Sequence, residues 1–343
     1  MSVNEAYFKL AQLAGYPNSQ PFLKIIEKLL TPDEARLIVE LPASNADLVA
    51  KLNQDEKTIE NSVQDLWRKG HISKSKFGYR FHLFLEKWRD LAFRNEPELI
   101  PPGLDQLWMD FYESGWWQEM AMLPLAMGDI PFVRVIPAQQ SIQSVAEVLP
   151  IERVQSIIEE HELVLVSNCP CRSCFKKCDH PVFTCIFFDA RAEEMLSRGS
   201  RGRKVSADEA VAIALSAEES GLVPQVYNST TTDYICHCCT CCCVVLNPLN
   251  RAGKVAEGIA KSRFVARIDK ETCSGCQLCM DRCPFGAIDM VKFPEFKKLK
   301  AVIDPEKCFG CGLCSIKCET ESITLESVRS PEHIPSMQIP ALF

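Results

Sequence analysis

All 19 cysteines of this 343-residue chain fall between Cys169 and Cys318, and the first 168 residues contain none. Free thiols at that density are an oxidation liability, so ligation of metal ions or clusters is the default expectation. The chain is too long, and at 47% apolar residues too rich in core, to be a disulfide mini-protein. Its opening, MSVNEAYFKL, has no basic and apolar signal segment, and no apolar run reaches the ~18 residues of a membrane span, so the expected location is the reducing cytoplasm. Charge divides at the same boundary. Residues 1–168 hold 16 Lys/Arg against 24 Asp/Glu, and the remainder holds 22 against 21. An acidic chain is a poor non-specific binder of nucleic acid.

The pattern predicts a multidomain α+β chain. Residues 1–95 form a helical unit: Thr31-Pro32-Asp33-Glu34 is a capping box, Ser44 to Asp47 repeats it, and a third helix starts at about Asp55 with Ile59, Val63, Leu66 and Trp67 on one face, ending near Gly70. Two short alternating segments follow, 71–73 and 79–83. Three helices and a hairpin resemble a winged helix, whose third helix often enters the DNA major groove. Here that helix carries Asp55, Glu56, Glu60 and Asp65 against Lys57, Arg68 and Lys69, which favours protein docking or a structural role over reading DNA. Residues 96–129 are a helical connector in which Trp108, Phe111, Tyr112, Trp116 and Trp117 are expected to pack between units. Residues 130–260 are a mixed α/β unit with cysteines on its loops. Residues 261–328 are a separate C-terminal unit, and 329–343 a tail.

That C-terminal unit is an internal repeat, residues 267–279 matching 302–314 at an offset of 35. Within it, Cys273-x2-Cys276-x2-Cys279-x3-Cys283-Pro284 and Cys308-x2-Cys311-x2-Cys314-x3-Cys318 each place three thiolates on one tight loop and a fourth at the start of a helix. Paired zinc ribbons need separated CxxC pairs and do not fit so compact a run. The region resembles a bacterial 2[4Fe-4S] dicluster ferredoxin. The resemblance implies cluster I on Cys273, Cys276, Cys279 and Cys318, and cluster II on Cys308, Cys311, Cys314 and Cys283. Gly275 and Gly310 are expected to let the backbone wrap close to sulfur. Two departures stand out: Glu319 follows Cys318 where the family usually has Pro, and 292–300 lengthens the link between motifs.

Eleven more cysteines are candidate ligands for additional metal in the middle unit: Cys169, Cys171, Cys174, Cys178 and Cys185 in and after a CPCR segment, and Cys236, Cys238, Cys239, Cys241, Cys242 and Cys243 in a CxCCxCCC run. Adjacent side chains diverge, so the second run must split its thiols between sites or leave some unligated. Across the fold, Cys169, Cys171 or Cys178 is expected to meet Cys236, Cys238 or Cys239. One or two further [4Fe-4S] clusters are favoured; a structural zinc site, a catalytic cluster with an open iron, and a thiol relay on the vicinal pairs are the alternatives. His180 and His237 are possible ligands, although a lone His is more often simply hydrogen-bonded. The arrangement is similar to that of uncharacterised ferredoxin-type proteins of anaerobes.

There is no Walker A sequence, no GxGxxG after a strand and no nucleophile–His–acid set, so no nucleotide or flavin site is expected. Two basic stretches, Arg191, Arg198, Arg201, Arg203 and Lys204, and Lys292, Lys297, Lys298 and Lys300, read as solvated loops or as steering surfaces for an acidic partner. The resulting expectation is an electron carrier that docks to a larger oxidoreductase and passes electrons through the middle site and both ferredoxin clusters in series. A redox-sensing winged-helix transcription regulator and a reductase working at the middle cluster are the rivals.

Overall fold

The computed structural model describes residues 3–336, apart from 77, 83, 95–97, 99, 127, 129, 130, 144, 200 and 201. Leu83, Arg201, the 95/96 boundary and the end of the tail lie outside the described residues. No helix among the described residues is long and apolar enough to cross a membrane.

Helices Val3–Leu13 and Gln20–Leu29 precede the three that the capping signals mark, Pro32–Val39, Asn45–Leu52 and Glu56–Lys69. Both capping boxes close: the Thr31 hydroxyl accepts the Glu34 N–H while Glu34 accepts the Thr31 N–H, and Ser44 and Asp47 do the same. Each cap contributes about 1 kcal/mol by satisfying amides that the first helical turn leaves open. The third helix buries Ile59, Val63, Leu66 and Trp67, stops at the left-handed Gly70, and leads into the antiparallel hairpin β1 (Ile72–Ser75) and β2 (Gly78–Phe81). Helix Leu85–Phe93 follows, then Leu104–Phe111 and Trp117–Ala126.

The expected aromatic face is a packed one. Trp108, Phe111, Tyr112 and Trp116 are buried, with Trp108 edge-on to Trp88 and Phe111 against Phe22, so the connector and the first unit share one core. That core extends into the cysteine region and takes in Cys174, Phe175, Cys239 and Cys242.

The middle region is built on seven strands: β3 (Val133–Val135), β4 (Val164–Asn168), β5 (Phe183–Phe188), β6 (Arg203–Lys204), β7 (Val223–Tyr227), β8 (Tyr234–Cys238) and β9 (Ile259–Ala260). Their order is β6-β4-β5-β8-β7-β3-β9, antiparallel throughout except for β3 with β9. Alternation along each strand makes two cores. Val164, Val166, Ile186, Phe188 and Ile235 face one side, under helices Val154–Glu159 and Ala207–Glu219. Leu165, Cys185, Phe187, Tyr234 and Cys238 face the other, where the cysteines collect.

The repeat supplies the last layer. β10 (Phe264–Ile268) pairs with β13 (Ile323–Ser327), and β11 (Ile288–Val291) with β12 (Lys300–Ile303), so each ribbon joins one strand from each half. This layer docks on the sheet through buried polar contacts. Arg263 reaches Glu152 at 3.1 Å with both side chains nearly fully buried, and Arg282 donates to the Glu218 and Glu219 carbonyls at 3.0 Å.

Candidate metal centres

In the C-terminal repeat each cysteine loop runs into one turn of helix, Leu278–Asp281 or Leu313–Ile316, which carries the third cysteine, Cys279 or Cys314. The fourth, Cys283 or Cys318, expected at the start of a helix, instead lies just past the end of one, because the turn stops after four residues. Two small cavities result. One is lined by Cys273, Cys276, Cys279 and Cys318, the other by Cys283, Cys308, Cys311 and Cys314. Each thus combines three cysteines of one loop with the fourth from the other, the exchange that the sequence resemblance implies. Gly275 and Gly310 both lie in the left-handed region, at φ +71° and +67°, and a Cβ on either would strike a backbone carbonyl, that of Leu299 or of Phe264. Glycine is therefore required by the neighbouring strand pressing on the outside of the loop, as well as by the turn itself.

The two cavities differ in setting. Cys276 is exposed, whereas Cys308, Cys311 and Cys314 are buried, with Cys311 packed into the core beneath the seven-stranded sheet. Burial pushes the Cys311 thiol up to about 12 and that of Cys279 to about 11. Cys318 goes the other way. Burial acts to raise it, but hydrogen bonds with the hydroxyls of Ser322, at 3.2 Å, and Thr320, at 3.7 Å, hold it below the ordinary thiol value. Both hydroxyls lie just beyond Glu319, where the chain departs from the usual Pro. Lys300, expected in a basic surface, is instead buried and donates to the Cys273 carbonyl at 2.6 Å.

The eleven middle cysteines divide into three groups. Six form a closed ring of neighbouring sulfurs, Cys169–Cys171–Cys243–Cys238–Cys236–Cys185 and back to Cys169. The Cys238–Cys243 separation is 3.5 Å. Three adjacent strands build most of it: Cys169 leaves the end of β4, Cys185 sits in β5, and Cys236 and Cys238 point the same way from β8 because side chains repeat every second residue. Four others, Cys178, Cys239, Cys241 and Cys242, gather their sulfurs within 4.8 Å of one another. Cys174 is buried in the helical core and joins neither group. The vicinal pairs split as diverging side chains require, Cys238 and Cys243 to the ring and Cys239 and Cys242 to the four. Neither His180 nor His237 joins a gathered ligand set among the described residues. His237 is buried, and its Nδ1 lies 3.0 Å from the Thr184 carbonyl.

Residues 272–322 match the family model of the 4Fe-4S dicluster domain. The chain is an iron–sulfur protein. The dicluster domain carries two [4Fe-4S] clusters, and in the cysteine-rich middle four sulfurs lie close enough together to hold a metal ion. Among curated proteins, 32 residues are 53% identical to a heterodisulfide reductase A-like protein of Archaeoglobus profundus, covering 9% of this chain and 5% of that protein. A further 47-residue match, 38% identical, is to translation initiation factor RLI1 of Chaetomium thermophilum, covering 14% of this chain and 8% of that one. The chain thus spans less than a tenth of the length of the curated relatives it matches. No solved structure matches.

Outside the dicluster domain, four arginines stand against the middle cysteines, and cysteine spacing gave no sign of them. Arg89, fully buried, donates to the Cys171 sulfur at 3.3 Å and pairs with Asp90. Arg94 lies in the electrostatic reach of Cys185 and Cys236, and donates to Ser167 at 3.1 Å and Asp90 at 3.4 Å. Arg172 stands between the two sulfur groups, interacting with Cys169, Cys185 and Cys238 of the ring and with Cys239 of the four, while donating to the His237 carbonyl at 2.8 Å. Arg191 stacks over Phe187 and Tyr234. Buried cations beside thiols favour the ionised, ligating form. The signal available in the sequence, for two of them, was Arg89-Asp90 and Arg94 set among the apolar residues Leu85, Trp88, Leu91 and Phe93. The basic stretch after it is only partly a surface, since Arg198 is buried and donates to the Trp67 and Ile72 carbonyls, clamping the N-terminal hairpin to the middle region.

Proposed function

We propose that this chain is an electron-transfer protein serving a larger oxidoreductase, with one [4Fe-4S] cluster on Cys273, Cys276, Cys279 and Cys318, a second on Cys283, Cys308, Cys311 and Cys314, and a third cluster on the six-thiol ring. The observation that carries this reading is the exchange of the fourth cysteine between two separate cavities. When bound, such clusters supply one-electron transfer at potentials set by hydrogen bonds, burial and charge. The chain's own part is to keep the sites dry, to hold the sulfurs and to offer an edge for docking. The Ala287 N–H donates to the Cys283 sulfur at 3.3 Å. Exposed Cys276 stands beside the exposed apolar side chains of Leu278 and Met280, which suit the centre of a small redox interface. The N-terminal helices and hairpin, winged-helix-like in order, act in this reading as a support that delivers Arg89 and Arg94 to the ring. The division into units at about 95, 129, 260 and 328 belongs to the same proposal.

The test is iron and acid-labile sulfide per chain on protein purified without oxygen, with EPR of the reduced state. About 12 irons, four per cubane, and three reducible centres are expected. About 8 irons, and spectra unchanged in a Cys236→Ser, Cys238→Ser variant, would remove the ring from the redox chain.

A second reading, reduction of a small substrate at the ring, has one observation in its favour. A cavity of about 260 Å³ shares Glu86, Asp90, Arg94, Phe187 and Arg191 with the cavity over the ring. It requires a ring-centre EPR signal that moves when a small anion is added; a signal indifferent to every anion tried leaves the carrier reading alone.

A further inference from the structure

The sulfurs of Cys178, Cys239, Cys241 and Cys242 are gathered mutually, each close to the other three, as no other cysteine group among the described residues is. Cys178 lies 3.9 Å from Cys239 and 3.7 Å from Cys242, and all four sulfurs fall within 4.8 Å of one another. Among the described residues no other set of three or more Cys, His, Asp or Glu side chains gathers its ligand atoms so tightly. The dicluster cavities do not gather in this way, and the ring, although its Cys238 and Cys243 sulfurs are 3.5 Å apart, does not bring a third sulfur within the same reach of both. The contrast has a direct chemical meaning. In a cubane each thiolate binds a different iron, so the sulfurs stand around a multi-atom body. Around one tetrahedral ion with metal–sulfur bonds of about 2.3 Å they must approach to about 3.8 Å, the edge of the tetrahedron. The dicluster domain is the internal standard for the first case, and the four-sulfur group has the dimensions of the second.

We propose that Cys178, Cys239, Cys241 and Cys242 hold a single tetrahedral zinc ion, separate from the iron–sulfur sites and redox-silent. Four thiolates with no open position make a structural rather than a catalytic site. The surroundings suit one. The Lys177 N–H donates to the Cys242 sulfur at 3.3 Å, and Arg172 lies in the electrostatic reach of Cys239, offsetting part of the charge that four thiolates bring. The location gives the ion a job. Cys178 follows the helix Pro170–Phe175 that carries Cys171, and Cys239 and Cys242 are the immediate neighbours of Cys238 and Cys243. Joining them fixes two loops more than 60 residues apart in sequence, and with them half of the six-thiol ring. Binding replaces four thiol protons by one divalent ion, with no change of oxidation state.

The test uses the full chain purified without oxygen. One zinc per chain is expected, with a zinc-edge X-ray absorption shell of four sulfurs at about 2.3 Å. A Cys178→Ser variant, dialysed against a chelator, should lose at least nine-tenths of its zinc while dicluster iron and sulfide stay at the wild-type level. Cys241→His, which keeps an accepted Cys3His set, should retain zinc with one nitrogen in the shell. Wild-type protein without zinc, with one sulfide-free iron in its place, or with the four cysteines oxidised in pairs, overturns the proposal. So does a Cys178→Ser variant that loses about four irons and their sulfide instead, the signature of a cubane. Should the variants prove insoluble, the wild-type metal content and absorption shell decide alone. The zinc readout is independent of iron and sulfide, so failure here is distinct from failure of the carrier reading.

Discussion

Eight cysteines of the dicluster domain come from two loops, 273–283 and 308–318, and stand apart around two cavities near the end of the chain. The eleven of the middle region come from strand ends, strand interiors and turns between 169 and 243, and ten of them touch another cysteine. The first arrangement is local: spacing fixes the site, and little else in the chain is required. The second is tertiary. Its sulfurs meet only when β4, β5 and β8 lie side by side, and part of its counter-charge, Arg89 and Arg94, arrives on and just after helix Leu85–Phe93, from the first 168 residues, which contain no cysteine. A local site tolerates change elsewhere in the molecule, and a tertiary one does not.

The largest expected effect tests the local half. Cys311→Ser removes a buried sulfur shared by no other centre, so iron should fall by about four per chain while the other centres persist. If iron vanished from the middle region as well, the two regions would be one cooperative unit and the contrast would fail.

The tertiary half is tested next by Arg89→Leu. The substitution keeps bulk in the core but leaves Cys171 without its buried arginine donor and Asp90 with Arg94 alone, a loss of about 1.5–3 kcal/mol for hydrogen bonds to a charged group. Metal content of the ring should drop and dicluster iron should remain, although residue 89 is far in sequence from either. Equal loss from both regions, or from neither, would count against the assignment of Arg89 to the ring.

The same division explains what was legible in the sequence. Capping boxes at Thr31 and Ser44 and the buried stripe of Ile59, Val63, Leu66 and Trp67 are short-range patterns that the structure realises, and the two four-cysteine runs, equally short-range, line two cavities. The rule that adjacent side chains diverge divides Cys238 from Cys239 and Cys242 from Cys243. The membership of the ring was not legible, because it depends on strand order and on register such as Ile186 opposite Ile235, which brings Cys185 beside Cys236. Nor was the inward turn of Arg198 and Lys300. A basic residue in a polar stretch reads as solvated unless its carbonyl acceptors, here Trp67 and Cys273, are known to lie beneath it.

A buried carboxyl sits at the seam between the two regions. Burial raises the Glu218 carboxyl to about 8, against an ordinary 4.5, while its side chain accepts the Gln139 N–H at 3.0 Å and its carbonyl accepts from Arg282 of the dicluster domain. Between about pH 4.5 and 8 the folded chain therefore keeps a proton that the unfolded chain has released. The stability linked to that proton is fully present below the lower value and is lost as pH rises through the upper, with a slope of at most about 1.4 kcal/mol per pH unit. Glu218→Gln should flatten that part of the profile in anaerobic urea melts. An unchanged slope would mean that the carboxyl is ionised in the folded chain.

The smallest expected effect distinguishes the two dicluster centres from each other. Ser322 lies 3.2 Å from the Cys318 sulfur, a contact without a counterpart at Cys283, whose partner is the Ala287 amide. A hydrogen bond to a ligand sulfur stabilises the more negative, reduced form of a cluster and so raises its potential. Ser322→Ala should lower the potential of the Cys318 centre by about 40 mV, the one-electron equivalent of a neutral hydrogen bond of about 1 kcal/mol. The Cys283 centre should not move. Redox titration followed by EPR resolves the two, and equal shifts in both would mean that the hydroxyl acts through the general field of the domain instead of through Cys318.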